Sequence, residues 1–467
     1  MLTLSRSTNS SPGLLDCAGL SRRDFLRAGS LGLGGLSLPW LLGQKAAAQD
    51  SGFIRDKSIV YLFLSGGASH IETFNPNMDA PSPYCSVTGD VQTSVPGLAL
   101  GGTFPLLSRH ADKMAVVRSF QHPIGGHVQA IVHMLSGGTD PLGLGVSGFG
   151  MGAAFARLRG ANHPVTGMPT NTLLVSDEVD PQYRNERGRV EKGSRPNLLG
   201  SSFAPFNPAG GGEATANLKL NLDSARFNDR RSLLAEIAKQ QQLVEQQGDE
   251  ITENAQQAFD LLLGSASEAF DLSREDPRLV ERYDTSGYQI GKKVFRSADL
   301  GTHFLTARRL IEAGCGFVTI HSAGWDMHAD GNNPGINAGM RMLGAPVDKA
   351  LSAFVEDLDD RGMLDDVLIV IGGDFGRTPR INKNGGRDHW ANLCPLAFIG
   401  GGIGKGQIVG QSTRRNDVPA TEPISTSQIF GTVMHTLFDV PALRLTRGVP
   451  RDLQTLLERS QPIAGLI

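Results

Sequence analysis

In residues 366–390, DVLIVIGGDFGRTPRINKNGGRDHW, a short apolar run halts at a glycine pair and polar groups follow at once. Val367–Ile371 reads as a buried strand. Asp374, Arg377, Asp388 and His389 are delivered just beyond its end. The pattern recurs along the chain. Lys57–Leu64 (KSIVYLFL) is almost continuously apolar, as a strand covered on both faces of a parallel sheet has to be. It runs out into Ser65-Gly66-Gly67-Ala68-Ser69-His70-Ile71-Glu72, where the glycines allow a sharp turn and close backbone approach. Gly316–His321 (GFVTIH) runs out into Ser322-Ala323-Gly324-Trp325-Asp326-Met327-His328. Lys113–Arg118 leads to His122 and His127, the latter in the first turn of a helical stretch that reaches Leu135.

Asn171–Val175 and Pro395–Ile399 read as further strands. Thr302–Ala313, Ala345–Arg361 and Ser425–Phe438 read as helices, the first closed by Gly314. Strand, loop and helix in alternation predict an α/β fold: a three-layer αβα sandwich with a mostly parallel sheet. Such a sheet gathers its strand-end loops at one edge, so the polar groups above are expected to meet there. Residues 176–212 read as loops over the site. Asp223–Gln247 and Ile251–Ser273 read as two long helices, so 176–300 is expected to be a loop-rich and helical insertion in one domain spanning 49–467.

The first 48 residues are expected to stand outside the fold. Ser21-Arg22-Arg23-Asp24-Phe25-Leu26 is a twin-arginine pattern, followed by the apolar run Ala28–Leu42 and by Ala46-Ala47-Ala48. The run is shorter than the ~20 residues a bilayer span needs. An export signal cleaved near Ala48/Gln49 is expected, with a periplasmic or secreted product. Its removal takes away five positive and two negative charges and moves the formal net charge from −3 to −6. That near-neutral balance implies no nucleic-acid surface, and no other segment is long and apolar enough to span a membrane. Cys85, Cys315 and Cys394 remain, an odd and widely spaced set that is not a disulfide framework. The sequence leaves the oligomeric state open.

Several chemistries are excluded by absence of pattern. There is no HExxH and no intact GxSxG. Gly404-Lys405 lacks both the first glycine and the Ser/Thr of a phosphate-binding loop. What remains is carboxylates and imidazoles at separated strand ends: Glu72 with His70, Asp326 with His328, Asp374, and Asp388 with His389. Asp326 and His328 stand two apart, so an extended segment points both the same way. Each group also reads as an ordinary hydrogen-bonded loop residue. Taken together, mixed oxygen and nitrogen ligands suit zinc, manganese or iron, one or two ions. Arg377, His127 and His122 are the candidates for the substrate side. The expected substrate is a small anionic ester or a sulfated or phosphorylated glycan.

HSAGWDMH, GGDFGRTPRIN and GRDHW, with SGGASHIETFNP, KMAVVRS and TARRLIEAGCGFVTI, resemble the motifs of the domain of unknown function 1501 family over essentially the whole chain after the signal. That family is in turn similar to the alkaline phosphatase and sulfatase superfamily of metal-dependent ester hydrolases. The resemblance implies an alkaline-phosphatase-like fold, Asp326 and His328 as ligands of one metal, Asp374 as the strand-end acid, and His389 as the late histidine. It implies Glu72 for the carboxylate after the first strand and places His127 where a sulfatase nucleophile would be. The chain departs from the family pattern at Ala68, Glu72, Asn75, Asn77 and Asp374. The longer Glu72 and the shorter Asp374 are expected to compensate across one shared metal. The leading expectation is an exported metal-dependent hydrolase of phosphate or sulfate esters. The rival is a secreted binding or scaffold protein that keeps the fold without turnover, a reading favoured by Asn75 and by the absence of a recognisable nucleophile. A redox protein is a third, suggested by the export route alone.

Overall fold

The structure is a computed structural model and describes residues 52–176, 184–208, 266–292, 296–446 and 448–467. The expected export signal and the helix Asp223–Gln247 lie outside these residues, as does most of Ile251–Ser273. Among the described residues, no helix is long and apolar enough to cross a membrane.

Seven strands form one sheet: β1 (Ser58–Leu64), β2 (Met114–Val117), β3 (Asn171–Leu174), β4 (Phe317–Ser322), β5 (Val367–Gly373), β6 (Leu396–Gly400) and β7 (Gln407–Val409). Their order is β7-β2-β6-β5-β1-β4-β3. β1 lies between β5 and β4, parallel to both, with Tyr61 level with Val370 and Thr319. β6 alone runs antiparallel to its neighbours, with Ile399 beside Ile369 and Ala397 beside Val116.

The central strand explains its own composition. Val60, Leu62 and Leu64 enter one apolar core, and Ile59, Tyr61 and Phe63 the other. A strand with helices over both faces has no side left for polar residues. The first core is closed by α4 (Leu300–Glu312) and α5 (Ala345–Asp360), whose Phe304 and Phe354 rings lie 5.1 Å apart. The second is closed by α1 (His127–Leu135), α2 (Met151–Arg159) and α6 (Thr426–Leu437), through residues such as Ile131, Phe155 and Phe430. Burial of each such side chain stabilises the fold by roughly 1.5–3 kcal/mol. The result is three layers, helix on sheet on helix, with a mostly parallel sheet.

One segment differs from expectation. Within the stretch read as loops, Arg184–Gly193 forms a helix, α3. Its charged sequence RNERGRVEKG carries no apolar stripe to announce it, and only Val190 reaches the core. α5 also has an extension that matters below: a short helix, Ile336–Gly339, and a π turn, Met340–Gly344, lead into it.

Candidate metal centre

Parallel pairing sets the geometry. Leu64 of β1 is level with Gly373 of β5, so the chain leaving each strand emerges side by side. The main-chain N–H groups of Gly66 and Gly67 donate to Asp374 Oδ1 at 2.9 and 3.1 Å. Both glycines sit at positive φ, +106° and +79°. A Cβ on Gly66 would fall 2.6 Å from the backbone nitrogen of Asp326, so only glycine fits this approach.

Asp374, fully buried, meets the Nδ1–H of His127 at 2.6 Å. His127 opens α1 and is aimed back over the sheet edge. The loop after β4 brings Asp326 and His328, and the segment after β5 returns with Asp388 and His389. The ligand atoms of His127, Asp326, His328 and His389 lie within 4.8 Å of one another. Asp326 Oδ1 is 2.9 Å from His328 Nε2 and 3.5 Å from His389 Nε2, while Oδ2 is 3.4 Å from His127 Nε2. The Phe375 ring packs behind His127 and His389, with centroids 4.8 and 4.5 Å away.

The outer nitrogen of each ring assigns its tautomer. His127 Nδ1 faces the Asp374 carboxylate, His328 Nδ1 faces Asp388 Oδ1 at 3.1 Å, and His389 Nδ1 faces the Gly125 carbonyl at 3.0 Å. All three partners accept only, so each neutral ring donates from Nδ1 and turns its Nε2 lone pair inward. The buried Nε2 of His127 has no hydrogen-bond partner there. With the rings neutral, three Nε2 lone pairs and a carboxylate converge, and Arg377 approaches from beneath, its Nη1 3.4 Å from His328 Nε2. Imidazoles oriented in this way by carboxylates and a carbonyl are how proteins present histidine to a metal, and this donor set suits zinc.

The electrostatics set protons in competition with a metal. Burial would lower the His127 imidazole, but Asp326 and Asp374 on either side outweigh it and raise it to about 9. The Asp326 hydrogen bond likewise raises His328. Burial raises the Asp326 carboxyl, yet the three histidines and Arg377 together hold it far below the usual range. His389 is lowered, chiefly by burial. Without a metal, His127 therefore holds its proton at neutral pH between Asp326 and Asp374, and a divalent cation bound at its Nε2 would displace that proton.

The other candidates fall elsewhere. Arg377, expected to face an anion, is fully buried beneath the centre. Its Nε donates to Gly67 O at 2.7 Å, Nη1 to Arg387 O at 3.1 Å, and Nη2 to Gly66 O and to Asp326 Oδ1, the last at 2.6 Å. It ties three loops together and has no free face for substrate. Glu72 does not join the cluster. Its buried carboxylate pairs with Arg387 Nη2 at 2.9 Å and accepts from Ser86 and Thr88, so it shares no partner with Asp374. The expected compensation across one metal therefore has no geometric basis. His70 is buried with Nε2 at 3.0 Å from Asn416 O, and His122 Nε2 is 2.6 Å from the main-chain oxygen of Asp374. Burial pushes both down to about 4. His122 supports Asp374 from below. Asp388, largely exposed, reaches the centre only through His328.

Sequence reasoning missed two groups. Asn333 Nδ2 donates to Asp326 Oδ2 at 3.3 Å from a turn that carries no motif. Glu186, on α3, accepts from the Gly324 N–H at 3.1 Å and is raised to about 8 by burial and by the Asp374 charge. No periodicity could have marked either.

Fold and site together define an α/β protein with a three-histidine, one-aspartate candidate metal centre at the carboxyl edge of its sheet. Residues 56–467 match the family described as "Protein of unknown function (DUF1501)", and the chain belongs to that family. No curated protein matches the sequence. Solved structures similar to it include the phosphonate monoester hydrolase from Silicibacter pomeroyi, at 9% identity and TM-score 0.37, covering 82% of this chain and 73% of that one. They also include a sulfatase from Pseudoalteromonas sp., at 12% and 0.34, covering 84% and 69%. A third is the lipoteichoic acid synthase LtaP from Listeria monocytogenes, at 9% and 0.35, covering 84% and 77%. At such identities and TM-scores the functional reading stands on the chain's own geometry.

Proposed function

We propose that this protein is a metal-dependent hydrolase of phosphate or sulfate esters, with His127, Asp326, His328 and His389 holding one divalent transition metal, zinc or manganese. The observation that supports it is the convergence of three inward-facing Nε2 atoms on one carboxylate. A divalent ion there supplies Lewis acidity toward a phosphoryl or sulfuryl oxygen and toward water. The chain's own groups do the rest. Asp374 and Asp388 keep the protons of His127 and His328 on Nδ1. Arg377 holds Asp326 against the Gly66–Gly67 turn. The proposed substrate is a small anionic ester or a sulfated or phosphorylated glycan. The twin-arginine pattern supports export to the periplasm or beyond, and the single α/β unit of 49–467 with its insertion at 176–300 belongs to the same reading.

A non-catalytic binding or scaffold protein is the second reading. The commitment of every Arg377 nitrogen to backbone, Asp326 or His328 favours it, because this guanidinium is not left to hold an ester. Elemental analysis of the purified protein, beside Asp326→Ala, tests the centre: a stoichiometric transition metal lost in the variant is expected, and its absence from the unmodified protein sinks the proposal. A panel of aryl phosphates, phosphodiesters and aryl sulfates then separates hydrolase from scaffold.

A further inference from the structure

A cavity of about 470 Å³ lies against the metal centre, lined by Lys292, Ala329, Asn333, Pro334, Arg341 and Met342 among others. Its size falls in the range of small-molecule sites. Two residues join it to the centre. Ala329 follows the ligand His328 directly, and Asn333 reaches Asp326 Oδ2 with its amide while forming part of the cavity wall. The wall itself is a tight turn: the Ala329 N–H donates to Pro334 O at 2.9 Å, and Ala329 sits at φ +60°, where a non-glycine residue is uncommon.

The lining has two characters. Ala329, Pro334, Ala338 and Met342 give an apolar surface, while Lys292 and Arg341 bring positive charge. Asp330, the nearby carboxylate, is turned into its own loop, where it accepts from the N–H groups of Asn332 and Asn333 at 2.7 Å each. The Lys292 ammonium donates to the main-chain oxygens of Asp330 and Asn333. Arg341 is exposed and has neither an ion pair nor a hydrogen bond among the described residues. It stands on the π turn Met340–Gly344. Such turns interrupt a helix at some cost and occur often at functional positions; this one puts Arg341 and Met342 together on the cavity.

We propose that this cavity is a subsite for the non-reacting part of the substrate: a ring whose apolar face packs on Pro334 and Met342, and which carries a second negative charge paired with Arg341 and Lys292. The substrate class is then an ester with two anionic groups on one ring-sized body, one at the metal centre and one in the cavity. This rests on the ester-hydrolase reading above.

The test uses phenyl phosphate and 4-carboxyphenyl phosphate, with the corresponding sulfates, titrated calorimetrically into the zinc-loaded full chain. The carboxylated probe is expected to bind about fivefold tighter, the scale of a partly exposed charge pair. Arg341→Ala is expected to abolish that preference, and Lys292→Ala to reduce it. Equal binding of the two probes, binding of neither, or a preference that survives Arg341→Ala overturns the subsite. Turnover is measured separately: hydrolysis of phenyl phosphate without a preference sinks only the subsite, and a preference without hydrolysis sinks only the hydrolase reading.

Discussion

The Nε2 atoms of His328 and His389 lie 2.9 Å apart, and in their neutral forms neither ring has a hydrogen to place between them. Two lone pairs at that separation repel unless a proton or a metal ion lies between them. The contact follows from what holds the rings from behind, Asp388 for one and the Gly125 carbonyl for the other.

Asp388→Ala removes the support of His328 while leaving every proposed ligand in place. The Asp388 side chain is largely exposed, so stability should change by no more than about 0.5 kcal/mol. Metal affinity should fall by about 10–100-fold, the usual effect of losing a group that orients a ligand. Competition with a chelator measures it; unchanged affinity would mean that the ring orientation does not depend on Asp388.

Gly66→Ala should damage both fold and centre. The new Cβ would meet the backbone nitrogens of Asp326 and Trp325 at 2.6 and 2.7 Å, and φ is +106°. Backbone cannot yield as a side chain can, so a loss of at least about 2 kcal/mol and of bound metal is expected. Gly385→Ala is the control: φ is +85°, but open space surrounds it. It should cost about 1 kcal/mol and leave metal content intact. Equal losses in urea denaturation would refute the role assigned to the close approach.

Glu72→Gln should separate stability from metal binding. It leaves the buried Arg387 without its carboxylate, and breaking such a pair typically costs about 3–5 kcal/mol. Below its melting temperature the variant should still hold a full complement of metal. Loss of metal from the folded variant would return Glu72 to the centre.

Asp348 gives a pH signature remote from the site. Burial raises its carboxyl to about 6, against the main-chain N–H groups of Leu107 and Leu106 that it accepts. The folded pKa therefore lies above the ordinary value of about 3.9. The folded state holds this proton more tightly, so the associated stability is complete below pH 4 and is lost as pH rises through 6. The urea midpoint of the unmodified protein minus that of Asp348→Asn should fall between pH 4 and 6. A flat difference would contradict it.

Much of this architecture is legible in the sequence because its physics is local. An apolar run long enough for a strand and stopped by glycines marks β1, β4 and β5, and the loops beyond them carry Asp326, His328, Asp374 and His389. Strand direction is another matter. β6 reads the same forwards or backwards, and only its neighbours show it antiparallel. Partner choice is equally hidden. Glu72 and Arg387 are 315 positions apart, and nothing in either segment says that they neutralise each other. His127 is readable as a reactive histidine, but its place among the candidate ligands depends on α1 lying across the sheet edge beside Asp374. The helix α3 carries no apolar stripe because its sequence is mostly charged, and Glu186 is hidden with it.

The central position of β1 has a consequence for how the molecule comes into being. Its partners are residues 317–322 and 367–373, so this early strand waits for more than 250 further residues before either edge is paired. Contacts of such wide sequence separation form slowly, because a long loop must close before any bond rewards it. The four candidate ligands, spread from His127 to His389, meet only after that closure. Metal capture should therefore come late in folding, as a mark of completion rather than a nucleus, and a chain stopped short of His389 should not compete for the ion.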